Sequence, residues 1–437
     1  MSGGAGDQGW TEARAERQLR SLELFGMRFG LDRMRRMMTA LGSPQGQFAS
    51  VHVLGTNGKT STTRMIAAII ERHGLRTGAY LSPHLVSYSE RVRIGERELT
   101  GEEFAAAVAR ATHAAEQVNR TLAEDDHVTQ FELLTAAAFW ELADVGVDVA
   151  VVEAGLGGRF DATSVIDSPV TVLTGVGLEH TRWLGPTVHD IAEEKLAVIQ
   201  EHGTVVLGEG LHADALAVAE RIASERDAEV VRASSDGVPV PARAQGAFQR
   251  RNFGLALAAA RVFLDRAGIA LEEAAVADAA ASVTVPGRLQ RVADDPPTIL
   301  DGAHNPDAVL ALAQSLPELQ MSGPLALVVG VLDDKDVAAM LATLLPLSRR
   351  AWFTAPASGR ALSPAALESH SRQLGFADAE SEPRPVRALK RAQEWARAEQ
   401  GWVLATGSVY LVGELIGALR AAAPGEAALG SRVGETG

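Results

Sequence analysis

Residues 51–61 read VHVLGTNGKTS, and the helical pattern TTRMIAAIIERHG follows them. A short apolar run that ends in glycine is typical of a buried strand, and the later apolar residues recur at helical spacing. Backbone N–H groups between a strand and a helix start attract anions, and Lys59 adds a positive charge. The segment therefore predicts a phosphate-binding loop. It is a shortened variant, because Val53 replaces a glycine of the strict pattern, and a glycine turn that caps a helix is the alternative interpretation.

Strand patterns recur along the whole chain. Apolar runs without polar alternation predict strands buried on both faces. They lie at 147–155, 171–177, 204–208, 297–302, 325–332, 351–356 and 402–408. Helical stretches such as 131–146 and 188–203 separate them. Strands that alternate with helices favour an α/β fold with mostly parallel sheets.

The turn-rich segment ASVTVPGRLQRVADDPP, residues 281–297, divides the strands into two series. We therefore expect a P-loop-type ATPase domain with a mostly parallel sheet over 18–284. A smaller Rossmann-like α/β domain is expected over 285–425. Residues 1–17 are rich in glycine and charge, which predicts a disordered N-terminus, and we expect a flexible tail over 426–437.

The composition excludes several classes of protein. The 437 residues include 41 Lys and Arg against 55 Asp and Glu, and this acidic balance disfavours nonspecific nucleic-acid binding. No apolar run is long enough to span a bilayer, and the N-terminus lacks a signal-peptide pattern. The absence of cysteine excludes disulfides, thiolate metal sites and cysteine nucleophiles. We expect a cytoplasmic protein that binds neither nucleic acid nor membranes.

Polar residues stand where predicted strands end. Glu153 closes one strand, His180 follows the next, and Asp301 follows TIL in the second series. Ligands of open α/β sheets bind at the carboxyl ends of strands, and oxygen ligands suit Mg²⁺. The alternatives are a carboxylate that caps a helix, a structural histidine, and a helix N-cap before Pro306.

A series of further motifs follows in a fixed order. They are GTNGKTS (55–61), LSPHL (81–85), YSERVRI (88–94), FELLTAAAFW (131–140), VEAGLGGRFDATS (152–164), EHTRWLG (179–185), IAEEK (191–195), VPGR (285–288), DGAHNP (301–306) and DDKD (333–336). From about residue 18 to about 420 the chain resembles folylpolyglutamate synthase/dihydrofolate synthase, a branch of the Mur ligase family. The resemblance implies an ATP-dependent amide ligase, in which a substrate carboxylate is phosphorylated and L-glutamate attacks the acyl phosphate. The carboxylate belongs to dihydropteroate or to the terminal glutamate of a folate.

The resemblance also implies site residues. For ATP these are Thr56, Asn57, Gly58, Lys59, Thr60, Ser61, Asn252, Arg288, Asp301 and His304. Two Mg²⁺ ions are implied: Thr60 or Ser61 would bind the ion on the phosphates, and Ser82, Glu153 and His180 would bind the second, while a requirement for K⁺ stays open. The catalytic residues would be Lys59, Lys195, His180 and Arg288. The pterin-bearing substrate would contact Phe29, Gly30, Leu31, Thr129, Gln130, Phe131, Glu132, Phe160, Asp161 and Ala162.

Lys195 matches the lysine that the family carries as a carbamate. Carbamylation turns a cation into an anion that can reach a metal. The alternative is a solvated helix lysine paired with Glu193 or Glu194. The local sequence is EEKLAVIQ, whereas the family usually has EKAGI.

Three other functions fit the sequence less well. A Mur-type ligase of cell-wall precursors usually has an additional N-terminal domain, for which the residues before the loop are too few. A nucleotide-dependent switch would not need Lys195 or Asp301, and a dinucleotide-binding redox enzyme would need a G-x-G-x-x-G loop. Dihydrofolate synthase and folylpolyglutamate synthase activities are not separated by these residues. We expect a monomer.

Overall fold

In the computed structural model, residues 9–23 and 30–422 are described. The chain divides into two compact units, of which one ends at Val285 and the other begins at Pro286. None of the helices in these ranges is long and apolar enough to cross a membrane.

The first unit is built on an eight-stranded sheet. Its strands are β1 Ala49–Leu54, β2 Thr77–Tyr80, β3 Val92–Ile94, β4 Arg97–Glu98, β5 Val149–Glu153, β6 Val170–Leu173, β7 Thr204–Leu207 and β8 Glu229–Arg232. Its helices are α1 Glu12–Arg20, α2 Asp32–Ala40, α3 Lys59–Glu71, α4 Gly101–Asn119, α5 Gln130–Val145, α6 Thr181–Leu184, α7 Val188–Leu196, α8 Ala213–Glu225, α9 Ala247–Arg266 and α10 Glu273–Ser282.

The strand order is β4-β3-β2-β5-β1-β6-β7-β8, and only the pairs β2–β3 and β3–β4 are antiparallel. The strand β1 pairs in parallel with β5 on one side and β6 on the other. The carboxyl ends of these three strands therefore meet at one edge of the sheet, where ligands of such folds bind.

The valine-rich strands β1 and β5 are buried on both faces of the sheet. Val51 and Val53 pack with α3 and α9 on one face, and Val152 packs with α4 and α5 on the other. Since burial of each such side chain contributes about 1.5–3 kcal/mol, this double cover fixes the position of the loops at the sheet edge.

The second unit contains a six-stranded sheet in the order β13-β12-β11-β14-β10-β9. Its strands are β9 Gln290–Asp294, β10 Pro297–Leu300, β11 Leu325–Val329, β12 Arg350–Phe353, β13 Ala379–Ser381 and β14 Trp402–Thr406. Its helices are α11 Pro306–Ser315, α12 Val337–Leu344, α13 Pro364–Gln373, α14 Pro385–Ala398 and α15 Val409–Ala422. The sheet is parallel except for the edge strand β9. The predicted α/β class with mostly parallel sheets is confirmed.

One local prediction is wrong. The disordered N-terminus expected through residue 17 overlaps α1, which begins at Glu12. Thr11 caps this helix, and Ala15 and Leu19 are fully buried, so packing stabilises a segment whose composition favours disorder. The turn-rich segment 281–297 also contains β9, which pairs with β10 through a register shift. The predicted tail over 426–437 lies outside the described residues.

Candidate active site

The loop predicted to bind phosphate connects β1 to α3. β1 ends at Leu54, and Gly58 stands at the N-cap of α3 with a φ of 86°. Glycine favours this left-handed conformation, and a Cβ at Gly58 would lie 2.7 Å from Asn252 Oδ1. The first N–H groups of α3 lack helical acceptors because they begin the helix. The loop therefore has the strand–loop–helix geometry of an anion site.

Two lysine ammonium groups converge on this loop. Lys59 Nζ donates to Gly55 O and Thr56 O, each at 3.1 Å, and Lys195 Nζ donates to Gly55 O at 3.0 Å. Lys195 is only 5% exposed. Burial and, after it, the nearby Lys59 charge lower the pKa of Lys195 to about 7. The loop is thus strongly electropositive.

The interpretation of Lys195 as a solvated, ion-paired lysine is wrong. Glu193 pairs with Arg221, and Glu194 lies 3.5 Å from Arg159. The side chain of Lys195 instead points from α7 to the carbonyl of Gly55.

The carboxylate of Glu153 lies at the end of β5 beside the loop. It is 1% exposed and accepts hydrogen bonds from Thr60 Oγ1 at 2.9 and 3.0 Å. The backbone N–H of Ser82 donates to the same carboxylate at 3.0 Å. Of the two hydroxyls considered from sequence, that of Thr60 is the one bonded to Glu153.

The donor set around Glu153 fits Mg²⁺. Within residues 9–23 and 30–422, no group of three His, Cys, Asp or Glu side chains could hold a metal by itself. Mg²⁺ does not need one, because it is usually held by one or two carboxylates together with water and phosphate oxygens. Glu153 and the hydroxyls of Thr60 and Ser82 are hard oxygen donors of this kind.

His180 follows β6 at the same sheet edge. It is exposed, has a φ of 54°, and directly precedes the short helix α6. A Cβ at Gly157 would lie 3.0 Å from Leu184 of α6, so this turn packs against the loop that follows β5. The segments carrying Glu153 and His180 are therefore neighbours.

The loop after β5 is held by a buried polar network. Asp161 Oδ2 accepts from Leu156 N at 2.6 Å, and Asp161 Oδ1 accepts from Thr163 Oγ1 at 2.5 Å. His52 Nε2 lies 2.9 Å from the same Thr163 hydroxyl. Burial raises the pKa of Asp161 and lowers that of His52 to about 4. Sequence reasoning missed His52, because a histidine inside an apolar strand gives no signal of its partner.

Two of the predicted substrate residues, Glu132 and Gln130, have side chains that are bonded within the protein. Glu132 is buried, completes a capping box with Thr129, and accepts from Arg33 Nε at 3.0 Å. Its carboxylate thus fixes the start of α5, and Arg33, which also pairs with Asp126, was not predicted. Gln130 Nε2 donates to Leu19 O at 2.8 Å, which joins α5 to α1.

The remaining substrate residues lie on the loops around this edge. A Cβ at Gly155 would collide with the ring of Phe131, so that ring packs directly under the loop after β5. On this loop Phe160 is 47% exposed and Ala162 is buried. Gly30 and Leu31 immediately precede α2. Phe29 lies outside the described residues.

In the second unit, Asp301 follows β10 and is 2% exposed. Its carboxylate accepts from Leu289 N and Ala303 N, each at 2.8 Å. Burial raises its pKa, which the Arg288 charge partly offsets. Asp301 is not the helix cap, since Asn305 caps α11 and accepts from Ala308 N at 2.9 Å.

Arg288 and His304 lie beside this turn. Arg288 Nη1 donates to Gly287 O at 3.1 Å, and a Cβ at Gly302 would collide with that nitrogen. His304 Nδ1 lies 3.0 Å from Gly302 O. The structure therefore brings Arg288, Asp301 and His304 together within the second unit.

Comparison with known proteins agrees with this geometry. Residues 287–409 match the family described as Mur ligase, glutamate ligase domain. The chain is 34% identical over 363 residues to folylpolyglutamate synthase of Lacticaseibacillus casei, covering 77% of this chain and 84% of that protein. It is 33% identical over 407 residues to dihydrofolate synthase/folylpolyglutamate synthase of Escherichia coli, covering 89% of this chain and 90% of that protein.

A solved structure is similar over nearly the whole chain. The Mycobacterium tuberculosis folylpolyglutamate synthase complexed with ADP superposes with a TM-score of 0.85 at 31% identity. The match covers 93% of this chain and 98% of that one. The chain therefore belongs to the folylpolyglutamate synthase/dihydrofolate synthase family of ATP-dependent Mur-type ligases.

Proposed function

We propose that this protein uses ATP to join L-glutamate to dihydropteroate, to the glutamate tail of folates, or to both. The observation that carries the proposal is that Lys59, at the start of α3 on the glycine loop, lies beside the Thr60–Glu153 pair. Positive charge on a glycine loop next to a carboxylate and a hydroxyl suits a metal-bound nucleotide triphosphate.

The reaction has two bond exchanges. A carboxylate oxygen of the folate substrate attacks the γ-phosphorus of ATP, and the bond to ADP breaks. The amine nitrogen of glutamate then attacks the acyl carbon, the bond to phosphate breaks, and the amine gives up a proton. Phosphoryl transfer depends on positioning and charge stabilisation.

The described residues suit these needs. Lys59 and the N–H groups at the start of α3 bind and orient the phosphates. Mg²⁺ would be held by Glu153 and the hydroxyls of Thr60 and Ser82, with His180 nearby, and would supply charge neutralisation at the phosphate oxygens. The site for a second Mg²⁺ and any requirement for K⁺ stay predictions.

We assign the pterin-bearing substrate to the loops around Gly30, Leu31, Phe131 and Phe160. Exposed Phe160 offers an aromatic surface, whereas Asp161 and Glu132 act as positioning residues because their carboxylates are bonded within the protein. Contacts of Asn252, Arg288, Asp301 and His304 with ATP, a monomeric state and a cytoplasmic location stay predictions.

Carbamylation of Lys195 is part of the proposal. A carbamate forms from a neutral amine, and burial lowers the pKa of Lys195 to about 7, so a large fraction of its amine is neutral near neutral pH. With ¹³C-bicarbonate, a carbamate carbonyl signal is expected by NMR. Its absence, or its persistence in Lys195→Arg, would contradict the assignment.

Phosphate release tests the activity directly. Purified protein is given MgATP and L-glutamate, with dihydropteroate in one reaction and tetrahydrofolate in another. Release only with dihydropteroate indicates dihydrofolate synthase, release only with tetrahydrofolate indicates chain extension, and release in both reactions indicates a bifunctional enzyme. No release from folded, ATP-binding protein would overturn the folate assignment.

A further inference from the structure

A second cationic cavity lies in the first unit, on a different part of α3. It has a volume of about 160 Å³ and is lined by Arg64, Arg93 and Arg243. Arg64, Ala67, Ala68 and Glu71 occupy one face of α3, since they follow helical spacing. Arg64 stands more than one turn, and Glu71 more than three turns, beyond Lys59. The cavity is therefore separate from the phosphate loop.

Arg64 has a charge that makes no ion pair with any described residue. Its Nε donates to the carbonyl of Thr284 at 2.8 Å. Among the described residues, no carboxylate lies within ion-pair distance of this guanidinium. Burial lowers the pKa of Arg64 to about 10, and the Arg93 charge is the next cause. The partly exposed guanidinium of Arg64 is therefore available for a charge-assisted contact with an anion.

Two carboxylates, Glu71 and Glu96, line the cavity together with the three arginines. Glu96 accepts from Arg72 at 2.7 Å. Glu71 lies against Gly95, and burial raises its pKa. Glu98 pairs with Arg93 at 3.1 Å. Exposed Arg243 makes no ion pair with any described residue, so the cavity keeps excess positive charge.

We propose that this cavity binds a small oxyanion of the inorganic phosphate type. Arg64 and Arg243 would contact it, Arg93 adds positive charge although it pairs with Glu98, and Ser282 and Thr284 line the same space. Pockets for drug-sized ligands have about 300–1,000 Å³, so this cavity suits an inorganic anion better than a nucleotide. Bound there, the anion would connect α3 to residues 282–284, just before the second unit begins.

The test is calorimetric titration of the full chain with inorganic phosphate. A nonhydrolysable ATP analogue and Mg²⁺ are present in excess, so that the phosphate loop is occupied. We expect one phosphate per chain. Arg64→Gln and Arg243→Gln should each weaken binding by about tenfold or more, since each removes a charge-assisted contact. Exposed Arg243 keeps the test decisive if Arg64→Gln fails to fold.

The matched control is Arg110→Gln, which removes one charge from an exposed position on α4. It should bind phosphate like the unchanged protein. Equal weakening in this control, no phosphate binding at all, or acetate binding as tightly as phosphate would each overturn the proposal. The readout is binding alone, so a failure of the proposed ligase activity would not change it.

Discussion

The carboxyl edges of the two sheets differ in how their charged groups are bonded. At the edge of the first sheet, Lys59 and Lys195 both donate to Gly55 O. At the edge of the second, the buried carboxylate of Asp301 accepts two backbone N–H groups. Among the described residues, both lysines are bonded to carbonyl oxygens, so the charge of Lys59 is available to an anion. The second edge carries an anion that its own turn already satisfies, which suits a neutral hydroxyl or a purely structural role.

This difference separates residues that act on ligands from residues that fix a turn. A lysine bonded to a carbonyl can exchange that contact for a phosphate oxygen without leaving a charge buried alone. A carboxylate with two backbone donors cannot be removed without orphaning those donors. We therefore expect substitutions at the first edge to change activity, and substitutions at the second edge to change stability first.

The largest effect is expected at Lys59. Lys59→Ala removes a charge aimed at the phosphates, and loss of one such electrostatic stabiliser lowers kcat by about 10²–10³-fold. The measurement is ADP formation with the folate substrate and glutamate. Lys390→Ala, at an exposed position on α14, is the matched control and should keep full activity. If Lys59→Ala lowers kcat by tenfold or less, the catalytic role assigned to the first edge is wrong.

The next effect distinguishes Thr60 from Ser61. Thr60→Val keeps the shape of the side chain but loses the hydroxyl bonded to Glu153. We expect the Mg²⁺ concentration for half-maximal activity to rise by about 10–100-fold, as for loss of a partner of a metal ligand. Ser61→Ala should change it much less. The reverse order would show that Ser61 supplies the hydroxyl to the metal.

At the second edge, Asp301→Asn should act on stability. An amide can accept from only one of Leu289 N and Ala303 N, and an orphaned buried donor costs about 1–3 kcal/mol. Urea denaturation measures the loss. Asp378→Asn, at an exposed position in the same unit, should be neutral. If Asp301→Asn keeps its stability but loses ATP binding, Asp301 acts on the ligand, and the proposed difference between the two edges is wrong.

The smallest effect concerns pH and His52. Because the pKa of His52 is lowered to about 4, the unfolded chain binds a proton there below about pH 6.5 while the folded chain does not. Stability should therefore fall as the pH drops from 6.5 towards 4.

When the pH is lowered from 7.5 to 5.5, the titration of His52 should reduce the free energy of unfolding by about 1 kcal/mol. His52→Gln should lack that part of the loss, as measured by denaturant unfolding at both pH values. An identical pH dependence in the two proteins would show that protonation of His52 does not change the free energy of unfolding.

Much of the site is readable from local patterns. The strand–loop–helix order around Gly58 and the strand-end positions of Glu153 and Asp301 follow from apolar runs and glycine. The helix α1 was not predicted, because its stability comes from burial of Ala15 and Leu19 rather than from its composition. The strand β9 lies in a segment rich in turn signals, and its hydrogen bonds to β10 make it a strand.

The amino-acid sequence alone determined the α/β class, the phosphate loop and the family, because these depend on periodicity and on motifs that are contiguous in the chain. Only the tertiary structure decided which contacts the polar groups make. Lys195 reaches Gly55, Glu132 is bonded to Arg33, and Thr60 rather than Ser61 meets Glu153. Those contacts join residues far apart in the chain, and whether a charge is paired or left for a ligand depends on the packing that buries it.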